Sequence, residues 1–227
     1  MIGLIAAEKD ETGNLVKSIK AKIIEFNGVR YYIGEIEGKQ VVVCFSGVGK
    51  TNAALTAMNM IINFGVTQIF NIGLCGSCKA NIKPGSVLIA NSIEYYDVDL
   101  TAFNYQLNQL PEEPIKYEIK KEYVDFLKTT TKENSIGTIA SGDSIVSLSN
   151  IEAFPSLGRK EVIGFDMEAA SIAHVCYKNK IDFMCVKLVS DNVCFDSNSR
   201  SQYDANHKSL TKRIETISLK VLEYYSK

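Results

Sequence analysis

The chain has 227 residues, 46% of them hydrophobic, enough for one substantial core or at most two small ones. Twenty-five basic residues stand against 26 acidic ones, a net charge of -1, so no global field favours nucleic acid or an anionic membrane as partner. No uninterrupted apolar run approaches the roughly 18–20 residues that a bilayer span needs, and the opening MIGLIAAEKDE lacks the basic start of a signal peptide, so a soluble, cytoplasmic protein is expected.

Ile2–Ala7 reads as a short buried strand, and Thr12–Lys20 suits a helix. Ala21–Phe26, Val29–Ile36 and Gln40–Ser46 are rich in β-branched and aromatic residues, broken at Asn27-Gly28 and Gly38, which predicts an antiparallel meander. Gly49–Phe64 has apolar residues at helical spacing and stops at Gly65. Strands are then expected over Gln68–Leu74, Ser86–Tyr95, Ser135–Ser141, Val162–Phe165 and Phe183–Ser190, with helices over Lys120–Lys132, Met167–Asn179 and Ser201–Tyr225. Asp97–Pro114 is a long irregular excursion, of a length that usually serves function or meets a partner. With no linker or repeat, residues 1–227 read as one α/β domain, a three-layer α/β/α arrangement with helices on both faces of a central mixed sheet.

In open α/β sheets, ligands gather beyond the carboxyl ends of the strands. Four such ends carry polar groups here: Glu8 to Glu11 after the first strand, Gly142-Asp143-Ser144, Asp166-Met167-Glu168, and Ser190-Asp191-Asn192. Each alone is ordinary turn or cap chemistry. Together they are expected to bring Glu11, Glu168 and Asp191 around one crevice, with Asp143 near. Glu168 also admits a plain reading as an acid at a helix start, favoured by the macrodipole.

Other signals point away from familiar chemistries. Ser46-Gly47-Val48-Gly49-Lys50-Thr51 ends like a phosphate loop, but Cys44 occupies the position of the required first glycine. Gly73-Leu74-Cys75-Gly76 lacks dinucleotide-fingerprint spacing and is expected, like the first stretch, to form a tight strand-to-helix turn. The six cysteines lie mostly in apolar runs, and Cys75–Cys78 with only two histidines in the chain is a poor zinc site. His174 is expected to be a hydrogen-bonded core residue and His207 a solvated one, neither beside a nucleophile.

The combination IGLIAAEKDE, SGVGKTNAA, TAFNYQLNQLP, SGDS, DMEAASIAHVC and KLVSDN, in this order over essentially the whole chain, resembles the 5′-methylthioadenosine/S-adenosylhomocysteine nucleosidases of the nucleoside phosphorylase superfamily. The resemblance implies a nucleoside phosphorylase-like fold and hydrolysis of an N-glycosidic bond. Asp191 would be the general acid at N7 of adenine, oriented by Ser190. Glu11 would polarise the attacking water. Glu168 would bind ribose hydroxyls, with Met167 packed on the sugar. Val48 and Ala7 would line the site, Val146 and Ile145 would lie by the base, and Tyr203 would form an aromatic wall. Phe103, with Leu107 and Pro111, would reach a neighbouring subunit's site in a homodimer and close the 5′-alkylthio pocket.

Such chemistry needs one acid at the base and anions near the sugar, because positive charge grows on the ribosyl ring as negative charge grows on the purine. An acid working near pH 7 must have a raised pKa. Leu74 stands where a serine often lies near the water, Lys187 where an arginine is common, Ile145 in place of an aromatic and Glu8 in place of an apolar residue. Lysine does not replace arginine as a positioning group without loss. No metal, organic cofactor, nucleic acid or membrane is called for, since acid–base groups and water suffice. Two alternatives stay open: phosphorolysis, which would need cationic clamps absent from these turns, and a non-catalytic nucleoside-binding protein.

Overall fold

A computed structural model describes every residue except 13, 132, 194–198 and 226–227, so Cys194 lies outside the described residues. The strands are β1 (Ile2–Ala6), β2 (Lys22–Phe26), β3 (Val29–Ile36), β4 (Lys39–Phe45), β5 (Gln68–Ser77), β6 (Val87–Tyr95), β7 (Lys116–Glu118), β8 (Asn134–Ser141), β9 (Val162–Asp166) and β10 (Asp182–Asn192). The α-helices are α1 (Leu15–Ser18), α2 (Lys50–Phe64), α3 (Lys121–Thr130), α4 (Ala169–Asn179) and α5 (Ser199–Tyr225).

All strands join one mixed sheet in the order β10-β6-β8-β9-β5-β1-β4-β3-β2, with β7 alongside β6. β1 runs parallel to β4 and β5, and β5 runs parallel to β10, so their carboxyl ends open on one side. These strands are apolar almost throughout, as burial on both faces demands. The β2–β3–β4 meander is antiparallel, as the sequence predicts. Helix α4 packs on α2, and α5 packs on β10 and on the 3-10 turn Lys9–Thr12.

Two features bring distant segments to one place. First, β10 pairs with both β5 and β6, curling β5, β10, β6, β8 and β9 into a closed ring. Second, β5 and β9 meet antiparallel only near their carboxyl ends, where Gly76 faces Phe165. The two opposed sets of strands therefore deliver their ends to the same region. A Cβ on Gly76 would collide with the Phe165 ring, so the close approach requires glycine.

Two expectations need correction, and one strand has no counterpart among them. Gly73–Gly76 is not a turn: β5 continues to Ser77, because Cys75 pairs with Val189 and, past an irregularity at Ser190, Gly76 pairs with Asp191 of β10. The Thr12–Lys20 helix shrinks to α1, preceded by the Lys9–Thr12 turn, because the buried Glu11 carboxylate takes the backbone N–H groups of Ala7 and Glu8 and tightens the chain there. The strand β7 was not legible, being only three residues long.

Candidate active site

The candidate acids sit at or just past the carboxyl ends of buried strands. Glu11 follows β1 and is only 5% exposed. Its Oε2 accepts the N–H groups of Ala7 and Glu8, both at 3.0 Å, and its Oε1 accepts that of Leu74 at 3.0 Å. Gly73 lets the carboxylate lie against β5, since a Cβ there would stand 3.1 Å from Oε1. Burial pushes the Glu11 pKa up, against the backbone donors and the nearby Lys187 ammonium, which pull it down.

Asp166 ends β9, Glu168 follows two residues on, and their side chains diverge. Asp166 Oδ2 lies 2.7 Å from Lys187 Nζ, and the Asp166 carboxylate also accepts from Ser141 Oγ and from the Ala169 N–H at the start of α4. Ser141 Oγ in turn accepts the N–H of Ala170 at 2.8 Å, so this pair caps α4. Glu168 occupies the N-cap position of α4 without capping it by its side chain. Its Oε1 reaches across to accept the Gly49 N–H at 3.0 Å, at the entrance to α2. The helix-start reading thus holds for its backbone, while its carboxylate serves a different helix. Burial, then the Asp166 charge, raise the Glu168 pKa to about 7, with Lys187 and the Gly49 N–H opposing.

Lys187, on β10, is 2% exposed and is the cation of this group. Burial works against its charge, but Asp166, with smaller help from Glu168, more than restores it and holds the ammonium protonated. Further along β10 the register slips between Val189 and Asp191. There Ser190 Oγ lies 2.7 Å from Asp191 Oδ1 and 3.2 Å from the Cys75 carbonyl oxygen. Asn192 fixes this strand end, donating through Nδ2 to the carbonyls of Lys79 and Ile82.

Glu11, Glu168 and Asp191 are thereby drawn to one region: Glu11 is bonded to Leu74, Asp191 through Ser190 to Cys75, and Glu168 lies within the fields of Glu11 and Lys187. A separate surface hollow lined by Met1, Ile2, Lys39 and Thr67 lies at the opposite, amino ends of the strands, and no carboxylate side chain is among its described lining residues.

This arrangement of strand-end acids accompanies a match over nearly the whole chain. A family model, the phosphorylase superfamily, fits residues 1–224. The chain belongs to the phosphorylase superfamily. A 5′-methylthioadenosine/S-adenosylhomocysteine nucleosidase from Staphylococcus haemolyticus (strain JCSC1435) is 33% identical over 202 residues, 84% of this chain and 86% of that one. Among solved structures, the nucleosidase of the same name from S. pneumoniae, bound to the transition-state inhibitor MT-ImmA, superposes with a TM-score of 0.88 at 29% identity, covering 98% of each chain. Futalosine hydrolase of Helicobacter pylori strain 26695 superposes with a TM-score of 0.87 at 27% identity, covering 100% of this chain and 97% of its own.

Within this phosphorylase-superfamily fold the other expected site residues differ in burial. Ala7 bonds Glu11 through its backbone, Met167 is half-buried beside Glu168, and Val48 is 47% exposed in the turn before α2. Val146 is buried in a small cluster with Tyr96, Phe165 and Val193, whereas its neighbour Ile145 is 76% exposed. Tyr203, on α5, is half-buried; burial and then the nearby Glu11 charge push its phenol up to about 12. Phe103 is 74% exposed in a 3-10 turn, Pro111 is exposed and Leu107 half-buried. Leu74 contributes its backbone N–H to Glu11, a role open to any residue but proline.

His174 is hydrogen-bonded as expected, its Nδ1 3.2 Å from the Tyr95 hydroxyl and its ring stacked on Tyr117. His207 is not solvated: its Nε2 lies 3.6 Å from Asp10 Oδ2, because α5 packs on the Lys9–Thr12 turn. Sequence reasoning missed Asp166 as a site residue. The available signal was Lys187 itself, since a lysine inside a buried strand demands a carboxylate partner.

Proposed function

We propose that this protein is an N-glycosyl hydrolase that releases adenine from 5′-methylthioadenosine and S-adenosylhomocysteine, and from 5′-deoxyadenosine as well. The observation that carries the reading is the Glu11 carboxylate, buried and held by three backbone N–H groups, with its charge felt at Glu168. An anion fixed in place suits a water molecule and repels phosphate, which favours hydrolysis over phosphorolysis. The lysine of the phosphate-loop look-alike is engaged as well, Lys50 Nζ lying 2.7 Å from Asp97 Oδ2. The names of the relatives point to the same reaction.

In this mechanism the C1′–N9 bond breaks and its electron pair moves into the purine. Asp191, oriented by Ser190, gives a proton to N7. Water oxygen bonds to C1′ and its proton passes to Glu11, so adenine and the 5′-substituted ribose leave. Glu168 accepts ribose hydroxyls, with Met167 against the sugar, and Lys187 with Asp166 sets the field around both sugar-side acids. A positioned acid and a positioned base each supply roughly 10²–10⁴-fold.

Residues 1–227 act in this reading as one nucleoside phosphorylase-like domain working in the cytoplasm as a homodimer, with Phe103 of each copy completing the other's alkylthio pocket. The exposed Phe103, together with exposed Leu55, Met58 and Ile62 on α2 and Tyr177 on α4, supports such a contact. A two-fold pairing supplies the same segment to both sites. The test is adenine release in phosphate-free buffer from 5′-methylthioadenosine, S-adenosylhomocysteine, 5′-deoxyadenosine and inosine. Turnover of the adenine nucleosides without phosphate supports the reading; strict dependence on phosphate, or tight binding with no turnover, overturns it. Futalosine belongs in the same assay, because the futalosine hydrolase superposition spans this whole chain.

A further inference from the structure

The stretch that imitates a phosphate loop leaves one cation that the reaction chemistry does not use. Lys50 opens α2, where a positive charge is the wrong sign for the helix dipole. Its side chain is nonetheless drawn in, 24% exposed, with Nζ 2.7 Å from Asp97 Oδ2 and 3.9 Å from Asp143 Oδ2. The ammonium also stands 5.5 Å from the centroid of the Tyr95 ring. Backbone groups tighten the same node: the Lys50 N–H donates to Asp143 Oδ1 at 2.8 Å, and the Asp143 N–H donates to Asp97 Oδ2 at 2.9 Å. One residue earlier, the Gly49 N–H holds Glu168.

Asp97 is the first residue of the excursion that carries Phe103, and Asp143 follows the end of β8. The far end of the excursion is fastened in the same manner. Glu113 Oε1 lies 2.5 Å from Lys178 Nζ, and Glu113 Oε2 lies 3.4 Å from His174 Nε2. His174 bonds back to Tyr95, beneath Lys50. The excursion is therefore tethered at both ends to α2 and α4, the helices whose entrances carry Gly49 and Glu168.

We propose that Lys50 is a positioning residue that ties the 97–114 excursion to the sugar-binding end of the site and so sets selection of the 5′ substituent; this rests on the nucleosidase reading above. Without the ammonium, Asp97 and Asp143 face each other as like charges, and the start of the excursion moves. The Gly49 to Glu168 bond is made by the backbone and survives. The damage then falls on substrates whose 5′ group reaches the excursion.

The test compares wild type with Lys50→Met, Lys50→Arg and Asp97→Asn. For Lys50→Met, kcat/KM on 5′-methylthioadenosine and S-adenosylhomocysteine falls about tenfold, mostly through KM, a change of roughly 1.4 kcal/mol. On 5′-deoxyadenosine, which has no thio substituent, the change stays within about twofold. Lys50→Arg recovers most of the loss, and Asp97→Asn reproduces the selectivity change. Hydrogen exchange of the amides in 99–110 accelerates in Lys50→Met. An equal loss on all three nucleosides, or no loss with unchanged exchange, overturns the proposal. Should wild type release adenine from none of them, the nucleosidase reading fails and exchange alone decides the tether: faster exchange supports it, unchanged exchange overturns it. If Lys50→Met does not fold, Asp97→Asn carries the same comparison.

Discussion

Lys187 Nζ lies 2.7 Å from Asp166 Oδ2, and the two side chains are 2% and 1% exposed. A lysine on β10 and an aspartate on β9 thus neutralise each other beneath the acids of the site. Such a pair is costly to break, because removing one partner strands the other charge in a medium that cannot solvate it. Lys187→Met is expected to lower stability by about 3–5 kcal/mol, read as a shift of the urea midpoint. Adding Asp166→Asn should recover part of that loss, since a neutral amide tolerates burial better. A single-variant loss below about 1 kcal/mol, the range of exposed pairs, would contradict the assigned burial.

Glu168 gives a pH signature. Its folded-state pKa is raised to about 7 from 4.5, so between these values the native protein holds a proton that the unfolded chain has lost. Stability must then fall as pH rises through this window, by an amount on the order of 3 kcal/mol. Glu11 is shifted in the same direction. The difference between wild type and Glu168→Gln isolates the Glu168 contribution. Urea unfolding at pH 5 and pH 7.5 should show the variant losing less stability than wild type across the interval. Parallel curves would place the Glu168 carboxyl in a solvated environment instead.

Asp191→Asn removes the proposed proton donor while leaving a side chain of the same shape beside Ser190. A kcat loss of about 10²–10⁴-fold with a KM near the wild-type value is expected for a general acid. Glu11→Gln should be comparably impaired in turnover. Unchanged turnover in Asp191→Asn removes that residue from the chemistry.

Much of the fold is legible in the sequence because its strands are buried on both faces and read as short apolar runs between turn residues. The meander, α2 with its Gly65 stop, and the long excursion all stand close to their expected positions. The ring closure is not legible: β10 pairing with both β5 and β6 depends on contacts between segments about a hundred residues apart, which local patterns do not encode. At the site, acids at strand ends could be singled out by position and residue type. Their partners could not. That Glu168 bonds Gly49, that Lys187 meets Asp166, and that Lys50 gathers Asp97 and Asp143 are all products of tertiary convergence. The Gly73–Gly76 stretch misled because glycines suggest a turn, whereas Gly76 is needed for the Phe165 ring and Gly73 for the Glu11 carboxylate.

In the proposed reaction water, held at Glu11, is the nucleophile at C1′. Turnover of 5′-methylthioadenosine in ¹⁸O-enriched water without phosphate, followed by mass spectrometry of the sugar product under conditions that limit later exchange, tests it most directly. One solvent oxygen is expected at C1 of 5-methylthioribose, with adenine released in equal amount. Formation of a sugar 1-phosphate only when phosphate is added, with no solvent label in the sugar, would contradict it.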